Sequence, residues 1–420
     1  MHYKIRNDII KELFARTTLG IKFGLDRILK ATEYIGNPQH SLNIIHVAGT
    51  NGKGSVCAFI ESILRHQGYA TGLFTSPHII NFEERFLING KPIPPDEWID
   101  VYHSIKGVIN QFTLTFFEVS TIIALEIFKR KNVDWAVIET GLGGRLDATN
   151  IVIPKVAVIT NVGIDHKEYL GKTIKKIAYE KLGIVKSGVP LVLGVQEEKA
   201  VYPLAHDICK AKDSPLFIVD SQDAINIDIH ANGSSFTYNS TKYCIPLKGI
   251  HQVYNALCSL KTMSLIYNKN PEEYSEGIKN TFFPGRFQEK NVEGKCIIFD
   301  VAHNPQAVKS LCNLLKYRYY NQKICIISGL MADKDISTIL NEYAKIAEKI
   351  ILTCPKISRA ADPNSIVKKM YSLNSNKIKI IFSVKEAVFY ALSSFHGIIC
   401  ITGSFYTVGE AMSALCYDPY

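Results

Sequence analysis

The residues best equipped for chemistry lie in one short run, Gly49-Thr50-Asn51-Gly52-Lys53-Gly54-Ser55. Its glycines leave backbone N–H groups open to an anion, Lys53 adds a mobile cation, and Ser55 offers a hydroxyl to phosphate or Mg²⁺. The stretch before it, Leu42 to Val47, reads as a short buried strand. After it, Val56, Phe59, Ile60, Ile63 and Leu64 recur at helical spacing and form one apolar face. A glycine-rich loop between a strand and a helix N-terminus is an anion cradle, because its amides and the helix dipole point the same way. The spacing departs from the usual G-x-x-x-x-G-K-[ST]: Val47 replaces the first glycine, and Gly54 separates the lysine from the serine. An ordinary glycine turn has no need of a strand, a lysine, a hydroxyl and an amphipathic helix together. The run predicts a nucleoside triphosphate site.

The elements that must position this loop alternate along the chain. Thr71 to Thr75, Asp134 to Glu139, Val156 to Thr160 and Val189 to Leu193 read as strands, with helical stretches around Thr121 to Lys131 and Thr173 to Leu182. The alternation predicts an α/β fold with a mostly parallel sheet flanked by helices, whose ligands sit at the C-terminal strand ends. Three polar groups fall at such ends: Ser76 in Thr75-Ser76-Pro77-His78, Glu139, and His166 in Asp165-His166. A hydroxyl, a carboxylate and an imidazole beside a triphosphate could complete a Mg²⁺ shell with phosphate and water. Imidazole is a soft choice for magnesium, and capping or structural hydrogen bonding is the other use for such residues. Lys181 is four residues after Ile177 and so shares the apolar helix face of Ile174, Ala178 and Leu182; it must either snorkel or face a site.

A chain of 420 residues exceeds one ordinary core, so two domains are expected. Its 47% hydrophobic and 21% charged residues describe a soluble globular protein. No long apolar stretch follows the N-terminus, so neither a signal peptide nor a membrane span is expected. Ten cysteines without CxxC or zinc-type spacing fit reduced thiols in the cytoplasm. The net charge of +9 is spread without a basic block, so small polyanions explain it as well as nucleic acid would. Ser221 to Pro246 reads as an antiparallel patch, and Gly249 to Ala256 opens another amphipathic helix. Pro284-Gly285 marks a hinge at 284–288 between a domain at 1–283 and a second at 289–420. That second part restarts the alternation as a smaller Rossmann-like α/β domain, with strands at Cys296 to Asp300, Lys323 to Ser328, Lys349 to Thr353, Lys377 to Phe382 and Gly397 to Thr402. Asn304-Pro305 is an N-cap and N1 pair.

With these motifs in order, the chain resembles the folylpolyglutamate synthase/dihydrofolate synthase branch of the Mur-type amide ligases. Gly49 to Ser55, Thr75 to His78 with Glu84-Arg85, Glu139 with Gly141 to Asn150, and Glu180 to Gly183 carry the resemblance in the first part. It continues through Asn255, Pro284-Gly285-Arg286, Asp300-Val301-Ala302-His303-Asn304-Pro305 and Gly403-Ser404-Phe405-Tyr406.

The resemblance implies roles for individual residues. Gly49, Thr50, Asn51, Gly52, Lys53, Gly54 and Ser55 would hold the triphosphate, while Asn255, Arg286 and Asp300 would contact ATP. Ser76, Glu139 and His166 would bind two Mg²⁺ ions, and His303 would lie near the phosphates or the incoming glutamate. The pterin would rest against Lys22, Phe23, Gly24, Thr115, Phe116, Phe117, Glu118, Leu146, Asp147 and Ala148; simple core packing is the alternative for one of the two phenylalanines. Lys181 would be carbamylated by CO₂ and act as an anion at the metal site. The implied reaction adds L-glutamate to dihydropteroate and to reduced folates in folate biosynthesis and one-carbon metabolism. It would run through an acyl phosphate, with the second domain closing over ATP and glutamate. The implied partners are small molecules only, without nucleic acid or membrane, and the implied state is a monomer. Two rivals share the phosphate loop: a cell-wall Mur ligase acting on a nucleotide sugar, and a non-catalytic ATP-gated binding protein. The Leu146 to Asn150 run and Ser76-Pro77-His78 favour the folate branch, and the intact Lys53, Lys181 and metal residues favour an enzyme.

Overall fold

The computed structural model describes residues 2–16, 24–267, 269–368 and 377–420. The chain forms two compact units, residues 1–246 with 250–282, and residues 247–249 with 283–420. In the first, the strands are β1 (Ile44–Ala48), β2 (Thr71–Phe74), β3 (Phe86–Ile88), β4 (Lys91–Pro92), β5 (Trp135–Glu139), β6 (Val156–Ile159), β7 (Leu191–Leu193) and β8 (Leu216–Ile218). They make one sheet of order β4-β3-β2-β5-β1-β6-β7-β8, parallel from β2 to β8 with β3 and β4 as an antiparallel edge. A separate three-stranded antiparallel sheet, β9 (Ile225–His230), β10 (Gly233–Tyr238) and β11 (Thr241–Ile245), falls where polar alternation predicts it.

The helices of this unit are α1 (His2–Ala15), α2 (Asp26–Tyr34), α3 (Lys53–His66), α4 (Pro95–Gln111), α5 (Phe116–Arg130), α6 (Lys167–Leu170), α7 (Ile174–Leu182), α8 (Val201–Ala211), α9 (Ile250–Ile266) and α10 (Ser275–Lys279). Two differ from the sequence reading. Helix α5 starts at Phe116, ahead of its apolar run, because Thr115 and Glu118 form a capping box that satisfies the first amides. Helix α3 is buried from Gly54 to Leu64 all round, where the spacing predicted one apolar face. It is covered by the sheet on one side and by α9 and α10 on the other. There Ser62 Oγ donates to the Gly277 carbonyl at 2.6 Å, and a Cβ on Gly277 would stand 2.5 Å from Ile63 Cα.

In the second unit β12 (Gln288–Val292), β13 (Lys295–Phe299), β14 (Ile324–Ser328), β15 (Lys349–Leu352), β16 (Ile378–Ile380) and β17 (Ile398–Thr402) form a sheet of order β12-β13-β17-β14-β15-β16. All are parallel except β12, an antiparallel edge that the sequence reading missed. Its sequence, Gln288-Glu289-Lys290-Asn291-Val292, has the polar character an edge strand needs and so lacks an apolar signal. Helices α11 (Pro305–Arg318), α12 (Ile336–Ala344), α13 (Pro363–Lys368), α14 (Val384–Ser394) and α15 (Phe405–Ala414) flank it. Among the described residues no helix is long and apolar enough to cross a membrane.

Candidate active site

Strands β2, β5, β1 and β6 are parallel neighbours, so Thr75, Glu139, Gly49 and Thr160 end on one sheet edge. The phosphate loop spans the gap from β1 to α3, with Gly52 as a left-handed N-cap at φ 83°. Residues just past β6 hold it in shape. The Asn161 carbonyl accepts the Thr50 N–H at 2.7 Å, its side-chain oxygen accepts the Asn51 N–H at 2.8 Å, and the Thr160 hydroxyl donates to the Asn51 carbonyl at 2.6 Å. Close approach explains two of the glycines. A Cβ on Gly49 would lie 1.9 Å from Thr160 Oγ1, and one on Gly52 would lie 2.4 Å from Asn255 Oδ1, which also places Asn255 against the loop. Lys53 Nζ donates to the carbonyls of Gly49 (3.2 Å) and Thr50 (3.4 Å). The Ser55 hydroxyl is buried, with no hydrogen-bond partner among the described residues. A buried orphan hydroxyl on an amide-lined loop suits a phosphate oxygen or a hard cation.

Lys181 is buried on α7, and its Nζ donates to the Gly49 carbonyl at 2.7 Å. Both lysines thus reach the same carbonyl. Burial lowers the Lys181 pKa to about 7, the Lys53 charge adds to that, and Asp165 and Asp147 oppose it. Glu139 ends β5 and accepts from the Thr75 hydroxyl and from the Ser76 N–H at 3.1 Å. Beside it the Thr140 hydroxyl is buried and has no partner among the described residues. His166, left-handed at φ 48°, lies beside Asp165, Nε2 to Oδ2 at 3.8 Å. The structure thus joins Ser76 to Glu139 and pairs His166 with Asp165, a carboxylate that the sequence reading named without giving it a role. Among the described residues no three His, Cys, Asp or Glu side chains gather into a self-sufficient metal site. A Mg²⁺ ion bound through one carboxylate, hydroxyls, phosphates and water needs no such group, so Glu139 with Ser76 and Ser55 fits it.

The 141–150 loop leaves β5 beside this edge. Its Asp147 carboxylate is buried and turned inward: Oδ2 accepts from Leu142 N–H at 2.7 Å, and Oδ1 accepts from the Thr149 N–H (3.0 Å) and hydroxyl (2.6 Å). Burial raises its pKa, and these bonds oppose the rise. Arg145 clamps the loop to α7 through Glu180 at 2.9 Å, and Asn150 adds a bond to the Gly183 carbonyl at 3.2 Å. Leu146 is half-buried and Ala148 buried. Thr115 and Glu118 spend polar atoms on capping α5, and Glu118 also pairs with Arg27 at 3.1 Å. Phe116 stacks on Phe14 at 5.2 Å with Arg85 over its ring, whereas Phe117 packs on Phe74 and against Gly141. Gly24 has φ 125°, and Lys22 and Phe23 lie outside the described residues.

In the second unit Asp300 follows β13, half-buried, with Oδ2 accepting from Phe287 N–H and Oδ1 from Ala302 N–H, both at 2.9 Å. Burial raises its pKa, and the Arg286 charge opposes the rise. The Arg286 guanidinium lies over the rings of Phe283 (5.0 Å) and Phe405 (5.3 Å). His303 Nδ1 lies 2.9 Å from the Val301 carbonyl, so that nitrogen carries the proton. Asn304 caps α11 by accepting from Ala307 N–H, as the Asn-Pro pair predicts.

Residues 47–263 match the Mur ligase middle domain, and residues 285–405 match the glutamate ligase domain of Mur ligases. The chain is an ATP-dependent ligase of the Mur type. It is 32% identical, over an alignment of 423 residues, to the dihydrofolate synthase/folylpolyglutamate synthase of Bacillus subtilis, covering 96% of this chain and 97% of that one. Its structure is similar to that of Mycobacterium tuberculosis folylpolyglutamate synthase complexed with ADP and AMPPCP, with a TM-score of 0.92, 27% identity and full coverage of both chains. A bifunctional folylpolyglutamate synthase/dihydrofolate synthase with Mn, AMPPNP and L-glutamate bound is similar at a TM-score of 0.84 and 28% identity, over 98% of each chain. The chain belongs to the dihydrofolate synthase/folylpolyglutamate synthase family, which sets aside the cell-wall branch and the non-catalytic reading.

Proposed function

We propose that this ligase joins L-glutamate to dihydropteroate, forming dihydrofolate, and also extends the glutamate tail of reduced folates, as a cytoplasmic monomer. One observation carries the reading: two lysines and an orphan serine hydroxyl converge on a glycine loop at the same sheet edge as Glu139 and the 141–150 loop. A carboxylate does not react with an amine at neutral pH, because oxide is a poor leaving group. Transfer of the ATP γ-phosphoryl to the folate carboxylate gives an acyl phosphate. The glutamate amine then attacks the acyl carbon, a tetrahedral intermediate forms, and phosphate departs with the C–O bond electrons.

The protein's share is positioning and charge. Amides 49–55 cradle the phosphates, and Lys53 leaves its loop carbonyls to meet the transferring group. Asn255 braces the loop at Gly52, and Arg286, Asp300 and His303 would serve as contacts for nucleotide and glutamate. Leu146, Asp147 and Ala148, with Phe116, wall the pterin; Asp147 does so by shaping the loop. Ser76, Glu139 and His166 would hold two Mg²⁺ ions, which when bound offset charge on the phosphates. Lys181 is carbamylated: with its pKa near 7 a large share is free amine at neutral pH, able to add CO₂ and become an anion.

ADP release measured with dihydropteroate, glutamate and ATP tests the reading, and should require all three. ADP release with a reduced folate monoglutamate but not with dihydropteroate would reduce the activity to tail extension. Release with neither refutes it.

A further inference from the structure

Strand β1 carries one polar residue that the phosphate loop does not use. His46, three residues before Gly49, is fully buried, with Ile138 of β5 and Ala157 of β6 on either side. Its Nε2 lies 2.8 Å from the hydroxyl of buried Thr149, and that hydroxyl lies 2.6 Å from Asp147 Oδ1. A hydroxyl has one proton. Ionised Asp147 can only accept it, so the Thr149 oxygen must in turn accept from His46, which makes the imidazole the Nε2–H tautomer. The other tautomer would take the proton from Asp147. It would also bury an N–H at Nδ1, an atom with no partner among the described residues, and a buried unpaired donor is rarer than an unpaired lone pair. Burial, aided by the Lys186 charge, keeps the ring neutral with a pKa of about 3.

The chain His46–Thr149–Asp147 ends on Leu142 N–H and so spans both ends of the loop that leaves β5. We propose that His46 is a positioning residue for the folate acceptor: through Thr149 and Asp147 it sets the 142–149 loop relative to the strand that launches the phosphate loop. One strand then fixes both the pterin's wall and the loop that holds the phosphates. This rests on the reading of residues 146–148 as the pterin wall.

Steady-state kinetics of wild type, His46→Leu, His46→Gln and Thr149→Val test it, with KM taken separately for dihydropteroate (or a reduced folate, if only that is accepted) and for ATP. Glutamine keeps an N–H near the place of Nε2, and valine keeps the shape of threonine without its hydroxyl. His46→Leu and Thr149→Val are expected to raise the folate KM about tenfold, the weight of one buried hydrogen bond, while the ATP KM stays within about twofold. His46→Gln should return to within about threefold of wild type. Equal losses in the leucine and glutamine variants, an ATP KM rising in step, or an unchanged folate KM overturns the proposal. Should His46→Leu fail to fold, Thr149→Val and ¹⁵N NMR of the wild-type imidazole decide; an Nδ1–H tautomer overturns it. A wild type inactive with every folate refutes the functional reading itself, whereas an active wild type with silent variants refutes this inference alone.

Discussion

Lys181 gives the most quantitative handle on the site, because its burial leaves a thermodynamic trace. Its pKa falls from 10.5 to about 7, chiefly through desolvation. Each pH unit between those values is worth about 1.4 kcal/mol, so carrying the ammonium into the fold costs about 5 kcal/mol below pH 7. The sign follows from proton counting. Between pH 7 and 10.5 the unfolded chain binds a proton that the folded chain does not, so stability rises with pH across that window. From pH 6.5 to 9 the cost falls by about 2.5 kcal/mol. Lys181→Met removes the titrating group at nearly constant length. The stability difference between wild type and variant should therefore move by about 2.5 kcal/mol in the wild type's favour between those pH values, other titrations cancelling. Urea unfolding in bicarbonate-free buffer measures it. The only two tryptophans, Trp98 and Trp135, both lie in the unit that carries Lys181, so their fluorescence reports that unit alone. A difference that stays constant with pH to within about 0.5 kcal/mol would refute the buried cation.

Further outcomes are expected at the same edge. Lys53→Ala should lose more than about tenfold in turnover at saturating ATP with no change in melting temperature; smaller loss would separate Lys53 from the transferring phosphate. Gly52→Ala combines a left-handed φ of 83° with a Cβ 2.4 Å from Asn255 Oδ1. It should raise the ATP KM at least about tenfold; an ATP KM within about twofold of wild type would exclude the close approach as the reason for glycine here. Lys181→Ala should be nearly inactive and partly rescued by acetate, and a ¹³C carbamate signal should appear in wild type given labelled bicarbonate; absence of both rescue and signal removes the anion role.

What could be read from sequence alone was whatever depends on neighbours in the chain. Glycines, lysine and hydroxyl between a strand and a helix are local, and so is the i, i+4 spacing that put Lys181 on a buried face. Asn304-Pro305 announced its helix for the same reason. Features set by distant partners were not legible. His46 looks like one more strand residue until Thr149, 103 positions on, is found beside it. The resemblance implies Asp147 as a pterin contact; that its carboxylate also accepts from Leu142 and Thr149 depends on the course of its own loop, which residue types do not show. The Thr115–Glu118 cap, by contrast, is a local Thr-x-x-Glu pattern that the sequence reading passed over. The spacing also showed only one face of α3, since the second cover comes from α9 and α10, some two hundred residues downstream.

That double cover has a kinetic meaning. A helix enclosed on every side from Gly54 to Leu64 resists fraying, so its bonded amides, from Val56 on, are expected to exchange with deuterium only through larger openings of the unit. The phosphate loop is therefore hung from a helix that resists local opening. Its amides stay aimed before nucleotide arrives, and little ordering entropy remains to be lost on binding.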